Sequence, residues 1–341
     1  MMSRTVFPAE WYPQSGVQLT WPHAGTDWFD ILVEVTTCYV AIAKEILKRE
    51  KLLIVCPDED EVLCHFNKEE QRNLLLAVVR SNDTWARDHG ALSVFIDGKP
   101  VILDFGFNAW GLKFAANYDN QITNILYDQD IFQPEVKYRC HLNFILEGGS
   151  IESDGKGTLL ATSECHTSPN RNQPMELDDI EQYLKKTLGA ERVLWLNHGY
   201  LEGDDTDHHI DTLARFCNEH TIAYVQCTDK NDEHFDELKA MEKELQSFVT
   251  TDGKPYTLIP LPMADAVYAK GYRLPATYAN FLIVNGAVLM PFYGTPKDET
   301  AKQRLRKAFP DREIIGIDCR PLILQYGSLH CIAMQYPRGF L

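Results

Sequence analysis

The chain has 341 residues, 45% hydrophobic and 24% charged, a balance ordinary for a globular protein whose core is large enough to need no staples. Acidic residues outnumber basic ones 49 to 33, giving a net charge of -16; this disfavours nucleic acid, because phosphate binding needs a concentrated positive surface. The same field would attract cationic ligands.

The opening residues, MMSRTVFPAEWYPQ, hold no apolar h-region, and no window approaches 18 consecutive apolar residues, so neither a signal peptide nor a membrane span is expected. Nine cysteines lie scattered without CxxC spacing, which implies reduced thiols and a cytoplasmic location. Strand-like apolar runs alternate with helix-like segments, and no Pro/Gly/Ser-rich linker divides them. An α/β architecture in one domain over residues 1–341 is therefore expected.

In chain order, VQLTWP (17–22) reads as a strand without a local partner. ALSVFIDGKPVILDF (91–105) reads as two strands around Asp97-Gly98, and SIESDGKGTLLAT (150–162) repeats the pattern around Asp154-Gly155. DTLARFCNEHTIAYVQC (211–227) is a weaker hairpin turning near Asn218–His220, and FLIVNGAVLMPF (281–292) turns at Asn285-Gly286. Asx-Gly between apolar runs marks hairpins because these turns need positive φ. GSLHCIAMQ (327–335) would start a fifth hairpin whose return strand is missing before residue 341, leaving 17–22 to supply it. The starts recur roughly every 50–65 residues, a period that suggests a propeller-like array of small modules. An ordinary α/β fold with several hairpins would carry the same signature.

The polar residues with catalytic potential stand at or just before these hairpins. NDTWARDHG (82–90) carries Asp83, Arg87 and Asp88; LEGGS (146–150) carries Glu147; DDTDHHID (204–211) carries Asp204, Asp205, Asp207, His208, His209 and Asp211; SLHC (328–331) carries His330 and Cys331. Modules around an axis would point equivalent positions at the same end, bringing these residues to one pocket. A cysteine nucleophile needs a thiolate and hence a nearby base or positive group. Neighbours on a strand face opposite ways, so His330 is a poor partner for Cys331 and His209 a better one. Gly327-Ser328 would let a ligand approach the backbone closely. Carboxylates grip a guanidinium bidentately and keep it protonated. The bland alternatives are a buried core cysteine and acids spent on caps, turns and salt bridges. DDTDHHID could also hold a metal, although its spacing matches neither an EF-hand loop nor HExxH.

The segments FPAEWYPQSGVQLTWPH (7–23), NDTWARDHGAL (82–92), DFGFNAWGLKF (104–114), LEGGSIESDGKGTLLAT (146–162), LEGDDTDHHIDTLARF (201–216), ATYANFLIVNGAVLMPFYGTPKDETA (276–301) and SLHCIAMQYP (328–337) resemble, in order, the agmatine deiminase branch of the bacterial peptidyl-arginine-deiminase-like family. This resemblance implies a five-bladed α/β-propeller of ββαβ modules (a pentein) and a site without metal or cofactor. It implies Cys331 as nucleophile, His209 as general acid/base, Asp88 and Asp211 around the guanidinium, and Glu147 supporting His209. Trp85 would pack along the substrate's methylene chain. The implied substrate is agmatine, hydrolysed to N-carbamoylputrescine on the way to putrescine, with Asp204, Asp205 and Glu152 as candidates for the distal amine. A homo-oligomer fits the family.

Two departures stand near the pocket. His208 occupies a common family glycine position before the histidine, and Gln325-Tyr326 replaces part of a glycine run before the cysteine. The alternatives are a deiminase of free or peptidyl arginine, with Arg87 available to a carboxylate, a metal-dependent hydrolase using DDTDHHID, and a polyamine binder without catalysis. Ammonia release from a panel of guanidines, chelator sensitivity and binding without turnover separate them.

Overall fold

A computed structural model describes residues 4–341. Its strands form five sheets of three or four strands and one separate hairpin, Val267–Ala269 with Tyr272–Leu274. The Asx-Gly signals fall where positive φ is needed: Asp97, Gly98, Gly155 and Gly286 all adopt it. The hairpins they close are Leu92–Ile96 with Lys99–Gly106, Ile151–Ser153 with Thr158–Thr162, and Leu282–Val284 with Ala287–Phe292. The weaker signal is also a hairpin, Ala214–Asn218 with Thr221–Gln226.

After each hairpin the chain passes through a helix and returns as a strand parallel to the second hairpin strand. Helix Leu177–Leu188 leads to Arg192–Leu196 beside Thr158–Thr162, Phe235–Ser247 to Thr257–Pro262 beside Thr221–Gln226, and Lys297–Ala308 to Glu313–Asp318 beside Ala287–Phe292. Ile122–Asp128 leads in the same way to Lys137–Ile145 beside Lys99–Gly106. Parallel neighbours need such a crossover, and the helix covers the sheet face that a hairpin alone would leave wet.

The fifth unit is split between the chain's two ends. Ala333–Pro337 pairs antiparallel with Gln14–Thr20, and helix Leu32–Leu47 then leads to Lys51–Cys56, parallel to Gln14–Thr20. Residues 17–22 thus supply the return strand that the C-terminal segment lacked, mostly within Gln14–Thr20. The mixed α/β fold is a fivefold repetition of strand, strand, helix, strand. Among the described residues, no helix is long and apolar enough to cross a membrane.

The largest apolar cluster runs from Val17 to Ala333 and joins residues from both ends of the chain. Tyr336 anchors the terminal strand: it is fully buried, packs against Phe132 at 5.4 Å between ring centroids, and donates through Oη to Gln18 Oε1 at 2.7 Å. That strand follows directly on Cys331. Tyr336→Ala should cost about 3–5 kcal/mol of stability, as removal of a buried ring does, with activity lost over the same temperature range as the fold. The matched control Tyr268→Ala removes a ring that is 64% exposed and should leave the melting temperature unchanged. Equal melting temperatures for the two variants would mean that closure of the two chain ends contributes nothing.

Candidate active site

Each of the five hairpin units contributes a polar residue to one place, from the segment just ahead of its first strand: Asp88, Glu147, His209 with Asp211, Asn280 and Cys331. Asn280 was not anticipated. The positional rule that picked out the others, a polar residue immediately before a hairpin, would have found it ahead of Leu282–Val284. Its Oδ1 accepts the backbone N–H groups of His330 (2.8 Å) and Cys331 (3.4 Å) and lies 3.4 Å from the Cys331 Sγ. The backbone N–H of Arg87 donates to the carbonyl of Cys331 at 3.1 Å, tying the short helix that carries Asp88 to the turn that carries the thiol.

Gly149 shows how closely the ionisable groups converge. A methyl group at this residue would sit 2.7 Å from His209 Nδ1, 2.8 Å from Asp88 Oδ1 and 3.1 Å from Asp211 Oδ2. Only a residue without Cβ fits between an imidazole and two carboxylates. The backbone N–H of Gly149 donates to Asp88 Oδ1 at 2.9 Å, and the indole N–H of Trp110 donates to Asp88 Oδ2, also at 2.9 Å. Asp88 is thereby held at both oxygens. Asp211 lies 3.9 Å from the Cys331 Sγ through Oδ2, while its buried Oδ1 has no hydrogen-bond partner.

Trp110 reaches Asp88 by an unusual route. Ala109, Trp110, Gly111 and Leu112 have φ of 52°, 56°, 86° and 69°, a left-handed turn that costs about 1–2 kcal/mol for each non-glycine residue. Neighbouring residues hold it: Asn108 Oδ1 accepts the Gly111 N–H at 3.0 Å, and Asn170 Nδ2 donates to the Gly111 carbonyl at 3.1 Å. Strain of this kind collects where geometry serves a site.

His209 is 1% exposed, with Nδ1 3.7 Å from Asp88 Oδ1 and Nε2 3.5 Å from Glu147 Oε2. Burial works against its charged form, but the Asp88 carboxylate, the Cys165 sulfur and Glu147 outweigh it and raise the imidazole well above its ordinary value. Glu147 is gripped through both oxygens by Arg171 Nε, at 3.1 and 3.0 Å. Burial would raise Glu147, yet His209 and Arg171 keep it below the usual carboxylate range. Burial pushes Asp88 up to about 6, with Asp211 and Glu147 adding to the shift against His209. The Cys331 thiol is pushed well above its ordinary value by burial first and then by Asp211 and Asp88. The two shifts run in the direction that favours a protonated thiol beside a charged imidazole.

A pocket leads from these groups to the surface. Trp85 and Trp110 form walls, with Phe114 nearer solvent, and the carboxyls of Asp27, Asp83, Asp204 and Asp205 line the rest together with Gln325 and Tyr326. Trp85 lies in the pocket wall as expected, its indole N–H donating to Asp83 Oδ2 at 3.0 Å. Gly327 serves this ring, since a Cβ there would sit 2.1 Å from the Trp85 Cζ3. Gly327 itself lines the pocket, and its missing Cβ also makes room for the tryptophan.

Asp204 spends its oxygens on its own loop, accepting from the Thr206 hydroxyl at 2.6 Å and the His208 N–H at 2.7 Å. The Asp205 carboxyl accepts no hydrogen bond from another residue among the described residues and is raised to about 7 by burial and by Asp204. Glu152 does not face the pocket. It is buried on the Arg215 guanidinium, so its candidacy for the distal amine falls. Arg87 is likewise excluded as a carboxylate holder, for it is buried away from the pocket with Nε 3.5 Å from the His330 carbonyl.

DDTDHHID does not assemble a ligand set. Asp207 pairs with Arg171 and Lys113, His208 faces Glu164 at 3.4 Å, and Asp211 faces His330. Two other clusters bring donor atoms together, Glu147 with Cys165 and His209, and Glu10 with Glu152 and His330. In both, an arginine already occupies the carboxylates. Both departures from family glycines lie at positive φ, His208 at 71° and Tyr326 at 67°, the conformation that glycine adopts most easily.

Gly149→Ala should lower kcat/KM by about 100-fold or more, the scale expected when reacting groups are displaced by about 1 Å. Circular dichroism should stay near that of the parent, with the melting temperature lowered by the few degrees that overpacking by about 1–3 kcal/mol brings. Activity within threefold of the parent would show that His209, Asp88 and Asp211 do not act from their observed positions.

Residues 6–337 match the family model of Porphyromonas-type peptidyl-arginine deiminases. The agmatine deiminase of Stutzerimonas stutzeri is 30% identical over 355 aligned positions, covering 98% of this chain and 96% of its own. Among solved structures, a Porphyromonas gingivalis protein provisionally assigned as an arginine deiminase is 54% identical with a TM-score of 0.96, covering 99% and 100% of the two chains. The C. jejuni agmatine deiminase with substrate bound, in a cysteine-to-serine variant, is 37% identical with a TM-score of 0.92, covering 99% and 98%. Similarity of this extent, over a chain whose five hairpin units direct their polar residues at one pocket, places the protein in the Porphyromonas-type peptidyl-arginine deiminase family.

Proposed function

We propose that the chain is an agmatine deiminase, which hydrolyses agmatine to N-carbamoylputrescine and ammonia. The observation that carries the substrate choice is the lining of the outer pocket. It holds the carboxyls of Asp27, Asp83, Asp204 and Asp205 and no lysine or arginine. Free arginine would bring a carboxylate into that acidic mouth, where the nearby Lys113 ammonium is already spent on the Asp205 carbonyl and the Asp207 carboxylate, whereas agmatine brings an ammonium. A buried polar group left unpaired is what makes such sites discriminate strongly. Agmatine deiminases are among the similar proteins over nearly the whole chain, while the Porphyromonas gingivalis relative bears an arginine deiminase name, so the pocket lining carries the choice between the two.

In this reading the guanidinium lies between Asp88 and Asp211, with the free Asp211 Oδ1 taking one of its N–H groups. Its charge offsets the two carboxylates that add to burial in holding the thiol protonated, so the thiol releases its proton to water as the cation enters. The Cys331 thiolate then attacks the central carbon. The His209 imidazolium donates a proton to one terminal nitrogen, the carbon–nitrogen bond breaks, and ammonia leaves an amidino-thioether. Neutral His209 next takes one proton from water, the hydroxide oxygen attacks the same carbon, and the carbon–sulfur bond breaks to return the thiolate; the remaining hydroxyl proton passes to solvent as the neutral urea product leaves. One imidazole serves as acid and then as base. Glu147, fixed by Arg171, stabilises its charged form. Trp85 and Trp110 flank the methylene chain, and Asp205 is the best placed acid for the distal ammonium.

The five strand–strand–helix–strand units are read as blades closed around one axis, a pentein propeller, with the whole chain as one catalytic domain. Its acidic surface suits a cytoplasmic enzyme free of nucleic acid and membrane, and assembly into a homo-oligomer follows family analogy.

Ammonia release from agmatine, arginine and an arginine peptide, measured side by side, should favour agmatine by 100-fold or more in kcat/KM, about the discrimination an unpaired charge imposes. Cys331→Ala should show no turnover and keep its affinity for agmatine. Preference for arginine would overturn the substrate assignment, and turnover by the alanine protein would overturn the nucleophile.

A pH dependence follows as well. Burial and Asp119 raise Asp83 to about 7, where Asp205 also lies. Both are ionised above that pH and neutral below it, so the mouth loses negative charge as pH falls through 7. The KM for agmatine should rise by about tenfold between pH 8 and pH 6, while that for the monocation butylguanidine rises much less. Parallel KM profiles for the two would show that these carboxyls do not read the distal ammonium.

A further inference from the structure

Beneath Asp211 lies a buried set of ionisable groups that the chemistry above does not use. His330 is 1% exposed and stands between two carboxylates, with Nδ1 2.7 Å from Asp211 Oδ2 and Nε2 2.8 Å from Glu10 Oε2. Arg215, fully buried, donates through Nη2 to the same Glu10 oxygen at 2.5 Å and through Nη1 to the Phe281 carbonyl at 2.6 Å; its Nε pairs with Glu152. Arg215 Nη2 also stands 3.0 Å from His330 Nε2. A guanidinium only donates, so the Glu10 oxygen is its partner and Nε2 keeps a proton for Glu10. His330 had been set aside because neighbours on a strand face opposite ways. The terminal strand begins at Ala333, so both His330 and Cys331 lie in the preceding turn, and the ring turns to the same carboxylate that flanks the thiol.

We propose that His330 is a positioning residue for Asp211: its Nδ1–H binds Oδ2 and leaves Oδ1 free to take the guanidinium. The inference rests on the reading in which Asp211 grips the substrate. Three observations support it. Oδ2 is engaged and Oδ1 is the buried oxygen without a partner. Rotation of the carboxylate would break the 2.7 Å bond, so the free oxygen keeps its direction. The far side of the ring is held by Glu10, which is itself fixed by Arg215 and by the backbone N–H of Ile283 at 2.6 Å.

The contact also bears on charge. Burial alone would raise Asp211, and His330 is the leading influence that holds it below the ordinary carboxylate range. The other ionisable groups around this cluster come from several elements: Arg87 and Asp88 on their short helix, Glu147 and Glu152 about the second hairpin, His209 and Arg215 about the third, and Glu10 and Cys331 from the chain's two ends. Asp88, Glu147, Glu152 and Glu10 are acidic and cannot replace a donor to Asp211. Arg87 donates elsewhere, toward the His330 carbonyl and the Met334 sulfur.

The test compares His330→Leu, which removes the donor, with His330→Asn, whose amide can return one near the Nδ1 position. Both are assayed with agmatine across pH. His330→Leu should raise KM at least tenfold, lower kcat less, and move the acid limb of kcat/KM to higher pH. His330→Asn should recover most of the KM. If His330→Leu does not fold, calorimetric affinity for agmatine of His330→Asn against the parent, both as Cys331→Ser proteins, decides. Affinity within threefold at pH 8 with weaker binding toward pH 6 supports the proposal, because the donor is kept while the charge is lost; affinity unchanged at both pH values overturns it. A lowered melting temperature with parental KM and pH profile in His330→Leu also overturns the proposal, since the ring would then only fill space. Asp211→Asn is run alongside. If it leaves KM unchanged, the guanidinium assignment itself fails; if it raises KM while His330→Leu does not, only the role of His330 fails.

Discussion

Two carboxylates, Asp88 and Asp211, are buried side by side next to a thiol, and the surrounding structure exists to make that tolerable. Taking one such charge out of water costs several kcal/mol even after relaxation. Each acid is therefore furnished with its own partners. Asp88 takes a backbone N–H and an indole N–H, while Asp211 takes an imidazole at one oxygen only. What remains uncompensated is negative charge facing the pocket, and a planar cation is the ligand that completes it. Burial first, and then the same negative charge, raises the Cys331 thiol above its ordinary value.

The support extends well beyond the groups that would touch substrate. Arg171 fixes Glu147 behind His209, and Glu10 with Arg215 fixes His330 behind Asp211. Each arrangement places a buried arginine on a carboxylate that backs an imidazole. A lone acid in either place would ionise poorly, and a lone arginine would be costly to bury. Together they give the two histidines stable surroundings while only His209 approaches the reacting groups.

Backbone strain gathers around the same pocket. The left-handed turn at 109–112 aims Trp110 at Asp88, and His208 and Tyr326 hold positive φ where the family commonly has glycine. Tyr326 also lines the mouth. At these positions a side chain has been accepted in a backbone conformation that disfavours it.

Local chemistry was enough to read the hairpins, because Asx-Gly turns need positive φ wherever they occur, and enough to mark the polar pre-hairpin segments that hold Asp88, Glu147, His209, Asp211 and Cys331, although the choice of these five among their neighbours came from the family resemblance. The missing partner of the last strand could be named because alternation makes an unpaired apolar strand conspicuous. Convergence could not be read in the same way. Glu10 and His330 are 320 positions apart, and nothing near either one announces the other. Strand alternation even argued against His330, because residues in the turn that leads into the strand at Ala333 do not obey it. Trp110, Arg171 and Glu10 each look like ordinary surface or core residues in one dimension. Only tertiary packing shows which oxygens are spent, as on Asp204, and which stand free, as on Asp211. Hydrogen bonding between distant segments decides that, and it leaves no periodic trace in the chain.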